Sequence, residues 1–297
     1  MAWLAVVLLA LASLASAAPS LNARQAITAL TSAQISAFKP YSFYSAAAYC
    51  LPSSTLAWNC GVNCAGANPG FHPIASGGDG AAVQFWFVGV DTTLGTVIVS
   101  HQGTDSSQIL ALLTDADFFL GGLDPTLFPG LSSSIKVHSG FANEHTKTAT
   151  LVLAAVQKGL SQFDVKKVTL VGHSLGAALS LIESVYLPLH IAGVTFRTIV
   201  YGMPRVGNQA FADHASVGNT VTHINNKEDL VPILPGRFLG FHHPTGEIHI
   251  QDSGVWDTCP GEDNTNDLCT TGDVSNIFEG ETGDHVGPYD GVRMTCG

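Results

Sequence analysis

The sequence feature that most constrains the fold is the pentapeptide Gly172-His173-Ser174-Leu175-Gly176. It follows the β-rich run Lys167-Val168-Thr169-Leu170-Val171 and precedes the small-residue segment Ala177-Ala178-Leu179-Ser180. A serine projects from a sharp strand-to-helix turn only where its neighbours leave room for the backbone, and glycine meets that need. We therefore expect an α/β chain with Ser174 at the end of a strand. The alternative is a glycine-rich turn with an incidental serine.

Strand and helix patterns alternate through the middle of the chain. An antiparallel hairpin is predicted first, and later strands separated by helices indicate parallel pairing. The predicted strands cover 82–90, 96–100, 167–171, 197–201, 220–224 and 247–251, and the predicted helices cover 26–48 (interrupted at Pro40), 143–162 (capped by Asn143), 177–187 (ended by Pro188) and 209–214. The sequence thus predicts one α/β domain over residues 18–297, with a mixed, mostly parallel sheet flanked by helices.

The amino terminus has the pattern of a secretory signal peptide. Residues 1–18 carry no charged side chain, 3–11 are an apolar run, and Ala15-Ser16-Ala17 supplies small residues for cleavage. An anchoring helix is the alternative, but the run is short for a membrane span of about 20 residues. We expect a signal peptide over 1–17, a secreted, extracellular protein, and no transmembrane segment after cleavage.

Composition excludes two classes of protein. Hydrophobic residues make up 46% of the 297 residues, which excludes an intrinsically disordered chain. Charged residues are only 12%, and the formal net charge is −11. A negative surface repels phosphate backbones, so we expect no nucleic-acid partner, whereas apolar docking to lipid stays open.

Six cysteines predict disulfide bonds in an exported chain. Fifteen pairings are possible, and spacing narrows them. Cys60 and Cys64 enclose three residues rich in turn formers, and Cys259 and Cys269 flank the polar loop 260–268. Those pairs leave Cys50 with Cys296. The alternative is a zinc site at Cys60 and Cys64, which an oxidising compartment disfavours.

A nucleophilic serine needs a histidine base and an orienting carboxylate, in the chain order Ser, Asp or Glu, His. Asp229 follows the predicted strand 220–224 after a short polar loop, as the carboxylate should. Glu228 is the adjacent alternative. Asp213 lies in a predicted helix, where a solvated role fits it better.

Twelve histidines compete for the role of base, and four follow Asp229: His242, His243, His249 and His285. His285 lies in the turn-rich segment 283–289, and a loop of this kind reaches the carboxyl edge of a sheet. The other three form a possible metal-ligand set, although surface histidines of this kind are usually not ligands. We therefore predict the triad Ser174, Asp229 and His285, with no metal and no cofactor.

These residues resemble those of the fungal class 3 lipases, a group that also contains fungal feruloyl esterases. The resemblance covers roughly residues 40–297. Three further segments are similar to family elements: Tyr44-Ser45-Ala46-Ala47-Ala48-Tyr49-Cys50 to the N-terminal helix, His138-Ser139-Gly140-Phe141 to H-x-G-F, and Gly202-Met203-Pro204-Arg205-Val206-Gly207-Asn208 to G-x-P-R-V-G-N. The resemblance implies an α/β-hydrolase fold and an ester hydrolase that works through an acyl-enzyme.

The resemblance also implies an oxyanion hole formed by the backbone N–H groups of Thr104 and Leu175. Many family members have Arg-Gly-Ser where this chain has Gln102-Gly103-Thr104, so a hydroxyl is kept at the donor position while the local charge differs. The pairs Cys50–Cys296 and Cys60–Cys64 also resemble family disulfides.

Family lipases carry a short lid helix after the oxyanion loop, which here corresponds to about 105–118. Ile109, Leu110, Leu112 and Leu113 provide an apolar face for such a lid. A partly buried core helix is the alternative. An apolar lid hides from water when closed and contacts lipid when open.

The apolar lid favours a monomeric triacylglycerol lipase that acts on lipid at an oil–water interface. The alternative is a feruloyl or other short-acyl esterase with the same triad, since the flap of feruloyl esterases tends to be more polar. A catalytically silent lipid or carbohydrate binder is a third hypothesis, and the complete triad argues against it.

Overall fold

A computed structural model describes residues 26–104, 119–217 and 220–297. The strands are β1 (Thr28–Ala29), β2 (Phe71–Gly77), β3 (Trp86–Asp91), β4 (Thr96–His101), β5 (Leu120–Gly122), β6 (Lys136–His138), β7 (Lys167–His173), β8 (Thr195–Tyr201), β9 (Gly207–Asn208), β10 (Thr220–Asn226), β11 (Phe241–His242), β12 (Glu247–Ile250) and β13 (Trp256–Cys259). The helices are α1 (Ser32–Ser36), α2 (Lys39–Ala47), α3 (Pro52–Ala57), α4 (Gly61–Gly66), α5 (Ser139–Thr146), α6 (Ala149–Phe163), α7 (Leu175–His190), α8 (Gln209–Ser216) and α9 (Thr270–Asp273).

A nine-stranded sheet organises these elements, in the order β1-β13-β12-β10-β8-β7-β4-β3-β2. The five central strands from β12 to β4 run parallel, and two antiparallel strands extend each edge. Parallel strands bring their carboxyl ends to one edge, where open α/β sheets place their functional loops. The loops after β4, β7 and β10 therefore meet at the same edge.

Two hydrophobic clusters cover the two faces of this sheet. Val168 and Leu170 of β7 point into the cluster that contains α6 and α7, while Val171 points into the cluster around α2. Alternate residues of a strand face opposite sides, so a strand covered on both faces is apolar throughout. This explains why β7 reads as a continuous β-rich run in the sequence.

A second, four-stranded sheet has the order β11-β9-β6-β5. The sequence did not reveal it, because its strands are two or three residues long and carry no measurable alternation. The backbone pairings between these strands hold the segments around residues 120, 137, 207 and 241 together.

Helix α7 continues past the proline that was expected to end it. It runs from Leu175 to His190, with Pro188 inside its last turn. Near the end of a helix a proline removes one backbone hydrogen bond without needing to break the turns before it.

The helix expected over 143–162 is two helices. Asn143 lies inside α5, so the predicted cap is wrong. The side chain of His138 instead accepts a hydrogen bond from the N–H of Gly140 and caps α5, and α6 starts afresh at Ala149.

The first strand of the expected hairpin also begins later than predicted, at Trp86. The Asp79 carboxylate accepts hydrogen bonds from the N–H groups of Ala81 and Val83, which holds these residues in a turn rather than a ladder. An Asp side chain that bonds the backbone two residues ahead is a standard turn device.

The six cysteines form Cys50–Cys296, Cys60–Cys64 and Cys259–Cys269, the same pairs that spacing predicts. The zinc alternative at Cys60 and Cys64 is therefore wrong. None of the helices in the described ranges combines the length and apolar composition needed to cross a membrane.

We expect the Cys50→Ser/Cys296→Ser double variant to lose far more stability than Cys60→Ser/Cys64→Ser. The first bond joins residues 246 apart and the second joins residues 4 apart. Loop-closure entropy then predicts losses of about 5 and about 2 kcal/mol, respectively. Urea unfolding of both variants measures the difference, and equal midpoints would contradict it.

Candidate active site

Ser174 occupies a strained turn between β7 and α7. Its φ of 58° and ψ of −127° lie in a region that residues with a side chain rarely adopt. A Cβ on Gly172 would collide with the backbone of Gly176, and a Cβ on Gly176 would collide with the carbonyl oxygen of His101. The N–H of Ser174 donates to the carbonyl of Tyr201 over 3.0 Å. The two glycines of the motif are thus required by close backbone approach.

Asp229 and His285 are joined at the same edge of the sheet. The Nδ1 atom of His285 lies 2.8 Å from Oδ2 of Asp229, and both side chains are buried. The other carboxylate oxygen of Asp229 accepts from the N–H of Val231 over 2.9 Å. A Cβ on Gly202 would stand 3.0 Å from both partners, so this residue leaves them room to meet.

The structure distinguishes Asp229 from its neighbour Glu228. Glu228 is only partly buried, and its surroundings contain Asp252, Asp273 and Asp284. Burial and these carboxylates raise the pKa of Glu228, so its environment disfavours the charged form that an orienting carboxylate needs. Asp229 is the acidic residue bonded to His285.

Oγ of Ser174 and Nε2 of His285 are buried at this edge and have no hydrogen-bond partner among the described residues. Buried polar atoms are normally paired, and unpaired ones mark sites of function, water or strain. The two atoms do not hydrogen-bond to each other in this structure. Hydrogen bonds between a nucleophile and its base are often long before substrate binds and tighten in the complex, so this geometry is compatible with the predicted pair.

His173 supports this arrangement, and sequence reasoning set it aside because it precedes Ser174. Its Nε2 lies 2.7 Å from the carbonyl oxygen of His285, and its Nδ1 lies 2.6 Å from the hydroxyl of Tyr49. The rings of His173 and His285 are 4.3 Å apart. Burial lowers the pKa of His173 well below its usual value, so the ring is neutral, donates from Nε2 and accepts from Tyr49 at Nδ1.

The loop after β4 approaches Ser174 closely. A Cβ on Gly103 would collide with the Tyr49 hydroxyl and would lie 3.0 Å from Cβ of Ser174. The hydroxyl of the next residue, Thr104, is buried and has no partner among the described residues. On the other side of the serine, Leu175 is the first residue of α7, so its N–H has no intrahelical acceptor. The loop that contains Thr104 and the start of α7 therefore lie on either side of Ser174, and the role of Thr104 and Leu175 as oxyanion donors stays a prediction.

Two hydrogen bonds connect Gln102 in this loop to Phe85, the residue before strand β3. The N–H of Gln102 donates to the carbonyl of Phe85, and the N–H of Phe85 donates to Oε1 of Gln102, each over 2.8 Å. Gln102, which stands where many family members have Arg, therefore holds the loop after β4 against the segment that precedes β3.

The competing histidines have other contacts. His249 faces the carbonyl of Lys227 over 2.9 Å, and His243 faces the carbonyl of Pro232 over 2.7 Å. His242 lies 3.6 Å from Asp263. The described cluster of close metal-ligating atoms, Glu247 with Cys259 and Cys269, includes two sulfurs that are already joined in a disulfide.

The residues predicted for the lid, Ile109, Leu110, Leu112 and Leu113, lie outside the described residues, as does the predicted signal peptide. The described residues bring together Ser174, Asp229 and His285 with the loop that contains Thr104.

The sequence profile of the class 3 lipases matches residues 98–239. A secreted mono- and diacylglycerol lipase of Malassezia globosa, MDL3, is 32% identical over 217 residues, which cover 71% of this chain and 69% of that protein. The chain belongs to the class 3 lipase family.

Other members of the family match over different lengths. MDL5, another secreted mono- and diacylglycerol lipase of Malassezia globosa, is 31% identical over 65% of this chain, but the match spans only 61% of its own length. The triacylglyceride lipase of Rhizomucor miehei superposes with a TM-score of 0.77 at 25% identity, covering 92% of this chain and 100% of that one. The expected α/β-hydrolase fold is thereby confirmed.

We expect Gly103→Ala to lower the reactivity of Ser174 toward a serine-reactive phosphonate by about 100-fold, the effect of displacing one oxyanion donor. The added Cβ would collide with Tyr49 and force the loop that contains Thr104 away from Ser174. Labelling rates measure this. Gly122→Ala is the matched control, because a Cβ there meets open space. Equal rates in the two variants would contradict the close approach.

Two stacked histidines lie beneath the loop that follows Asp229. The rings of His223 and His243 are 4.9 Å apart and inclined by 14°. Their Nε2 atoms face the carbonyls of Pro244 and Pro232, and both Nδ1 atoms are buried without a partner among the described residues. Burial lowers the pKa of each ring to about 4. Both rings are therefore neutral in the folded protein near neutral pH.

This pair predicts a loss of stability in acid. Below pH 6.5 the two histidines bind protons in the unfolded chain but stay neutral in the folded protein. Their contribution to the free energy of unfolding is therefore complete above pH 6.5 and is lost as pH falls towards 4. Between pH 7.5 and 4.5, the free energy of unfolding of His243→Gln should fall by about 2 kcal/mol less than that of the wild type. Urea unfolding at both pH values measures this. The exposed His214→Gln is the control, and parallel losses in all three proteins would refute the assignment.

Proposed function

We propose that this class 3 lipase family member is a serine carboxylic-ester hydrolase that acts on acylglycerols, with Ser174, His285 and Asp229 as its triad. The observation that carries the proposal is that a serine on a strained strand-to-helix turn and a buried Asp–His pair lie at the same sheet edge. The Ser174 N–H donates to the carbonyl of Tyr201, and a Cβ on the next residue, Gly202, would lie 3.0 Å from Asp229 and from His285. Geometry and roles, rather than sequence position, identify such a triad.

In the proposed reaction, Oγ of Ser174 attacks the ester carbonyl carbon while its proton passes to Nε2 of His285. The Asp229 carboxylate accepts from Nδ1–H, which fixes the tautomer and stabilises the imidazolium. The N–H groups of Leu175 and Thr104 stabilise the tetrahedral oxyanion. The carbon–oxygen bond to the alcohol then breaks, and the alcohol leaves with the proton from His285.

Deacylation repeats these steps with water as the nucleophile. His285 takes a proton from water as it attacks the acyl-enzyme, and then returns the proton to Oγ of Ser174 as the carboxylic acid departs. Atoms and charges balance without a metal or a cofactor. His173 is a positioning residue, because it holds the backbone of His285 in place through a 2.7 Å contact.

The relatives support the substrate class and the compartment. MDL3 and MDL5 are secreted mono- and diacylglycerol lipases, and the Rhizomucor miehei neighbour is a triacylglyceride lipase. We propose that this chain is likewise secreted after loss of residues 1–17, works as a monomer over residues 18–297, and hydrolyses triacylglycerol at an oil–water interface under a lid at 105–118.

Ser174→Ala should lower ester hydrolysis by about 10⁴- to 10⁶-fold, because the nucleophile of the triad is removed. The control is Ser161→Ala, an exposed serine on α6. Hydrolysis of a soluble butyrate ester and phosphonate labelling measure the effect. A Ser174→Ala protein that retained full activity would overturn the mechanism.

A paired assay then tests the substrate class, with emulsified long-chain triacylglycerol in one arm and soluble methyl ferulate in the other. We expect activity on the emulsion to rise sharply once an interface forms. That result would support a lid that covers the site in water and opens at lipid. A preference for methyl ferulate without that rise would place the chain with the feruloyl esterases.

A further inference from the structure

The motif at 202–208 contains a buried arginine that the proposed reaction does not use. Arg205 and Asp263 form an ion pair in which Nε of the arginine lies 2.7 Å from Oδ1 of the aspartate, and each side chain is only 3% exposed. Both charges have left water, so further hydrogen bonds must replace the lost hydration. We call Arg205 and Asp263 the buried ion pair.

The remaining donors of Arg205 hold the loop 230–235, which follows Asp229 and which we call the carboxylate loop. Arg205 donates hydrogen bonds to the carbonyls of three successive residues in it, Ile233, Leu234 and Pro235. The backbone N–H of Arg205 reaches the carbonyl at 234 over 2.8 Å, and Nη1 reaches the other two, over 3.1 Å at 235. One residue therefore holds half of this loop.

Asp263 is fixed as firmly as its partner. It lies in the loop closed by the disulfide Cys259–Cys269, and its Oδ2 accepts from the N–H of His243 over 3.0 Å. Nε2 of His243 lies 2.7 Å from the carbonyl of Pro232, the residue before those held by Arg205. Four successive carbonyls of the carboxylate loop are therefore held by the buried ion pair and this histidine.

The carboxylate loop in turn contacts Asp229. The N–H of Val231 donates to Oδ1 of Asp229 over 2.9 Å, while Oδ2 of the same carboxylate faces Nδ1 of His285 over 2.8 Å. Only one residue separates Val231 from Ile233. A shift of the carbonyl that Arg205 holds at 233 therefore also moves the N–H that holds Asp229.

We propose that Arg205 is a positioning residue for Asp229, and that Asp263 holds the arginine in the required orientation. The inference rests on the proposed function, because it explains how the orienting carboxylate of that reaction is kept in contact with His285. A displacement of about 1 Å far from the reacting atoms can lower a rate by about 100-fold. The contact at stake is the one that stabilises the imidazolium.

Stability alone does not account for a guanidinium at this position. A buried ion pair is often no more stabilising than apolar residues of similar volume. A guanidinium instead offers several donors in a rigid, planar arrangement, which a lysine does not. Arg205 uses these donors on Asp263 and on two carbonyls of the carboxylate loop at once.

The test separates positioning from stability with two variants. Asp263→Asn leaves the charge of Arg205 buried without its partner, so we expect both the urea midpoint and kcat to fall. Arg205→Met/Asp263→Leu removes both charges, so we expect the urea midpoint to return towards the wild-type value. Its kcat on a soluble butyrate ester should stay about 10- to 100-fold low, because the carboxylate loop has lost its side-chain donors.

Titration of Ser174 with the phosphonate counts the active sites, so an unfolded fraction does not lower the measured kcat. Arg205→Lys keeps the charge opposite Asp263 but not the planar set of donors, and we expect it to lower kcat in the same direction. The matched control is Asp164→Asn, because Asp164 faces Lys166 in an exposed ion pair at 3.3 Å. We expect this control to leave kcat unchanged.

Proton NMR in water reports on the Asp229–His285 contact directly. A proton held between an imidazole nitrogen and a carboxylate resonates at low field, and His285→Gln identifies the resonance by removing it. We expect this resonance to move to higher field in Arg205→Met/Asp263→Leu and in Arg205→Lys, and to stay in place in Asp164→Asn.

Two kinds of failure are distinguishable. Hydrolysis of no ester by the wild type would refute the proposed function, and with it the catalytic role of Asp229. An active wild type together with an unshifted resonance in Arg205→Met/Asp263→Leu and Arg205→Lys would overturn the positioning by Arg205 alone. Recovery of kcat together with the urea midpoint in Arg205→Met/Asp263→Leu would likewise show that the buried ion pair serves only the fold.

Discussion

The contact between the start of helix α7 and the end of strand β4 fixes the geometry on which the site depends. Gly176 lies so close to the carbonyl of His101 that no side chain fits between them. The helix can therefore begin directly after Ser174, and the serine makes the turn in a strained positive-φ conformation. The same closeness brings the loop of Thr104 alongside the helix N-terminus. One backbone contact thus positions the serine and both flanking N–H donors.

Burial sets the charge states around that contact. His173 is kept neutral by its surroundings, so it bonds to a carbonyl and a hydroxyl without adding a positive charge next to His285. Asp229 is the acidic side chain that faces His285 directly. A positive charge on His173 would oppose the imidazolium that the proposed mechanism needs, and the desolvated environment prevents it.

Local patterns predicted the parts of the fold that depend on neighbours in sequence. The turn around Ser174, the strands β7, β8 and β10, and the position of Asp229 after β10 follow from hydrophobic runs, glycines and chain order. The contacts of His173 with Tyr49 and with the backbone of His285 join residues more than one hundred positions apart, so no local pattern reveals them. The short strands of the second sheet carry too few residues to show a period. The Asp79 turn was detectable in principle, since Asp followed by Gly is a turn signal.

The disulfide between Cys50 and Cys296 joins an early segment of the chain to a late one, so it forms only after both have been synthesised. A ribosome delivers the chain from its amino end, so His285 and the segment 294–296 emerge only after Ser174 and most of the sheet have been made. The sheet edge that holds Ser174, Asp229 and His285 is therefore completed only after His285 has been made, and the segment 294–296 is fastened only where thiols are oxidised. The ester hydrolase proposed for this chain is therefore incomplete until residues 285–296 have been made.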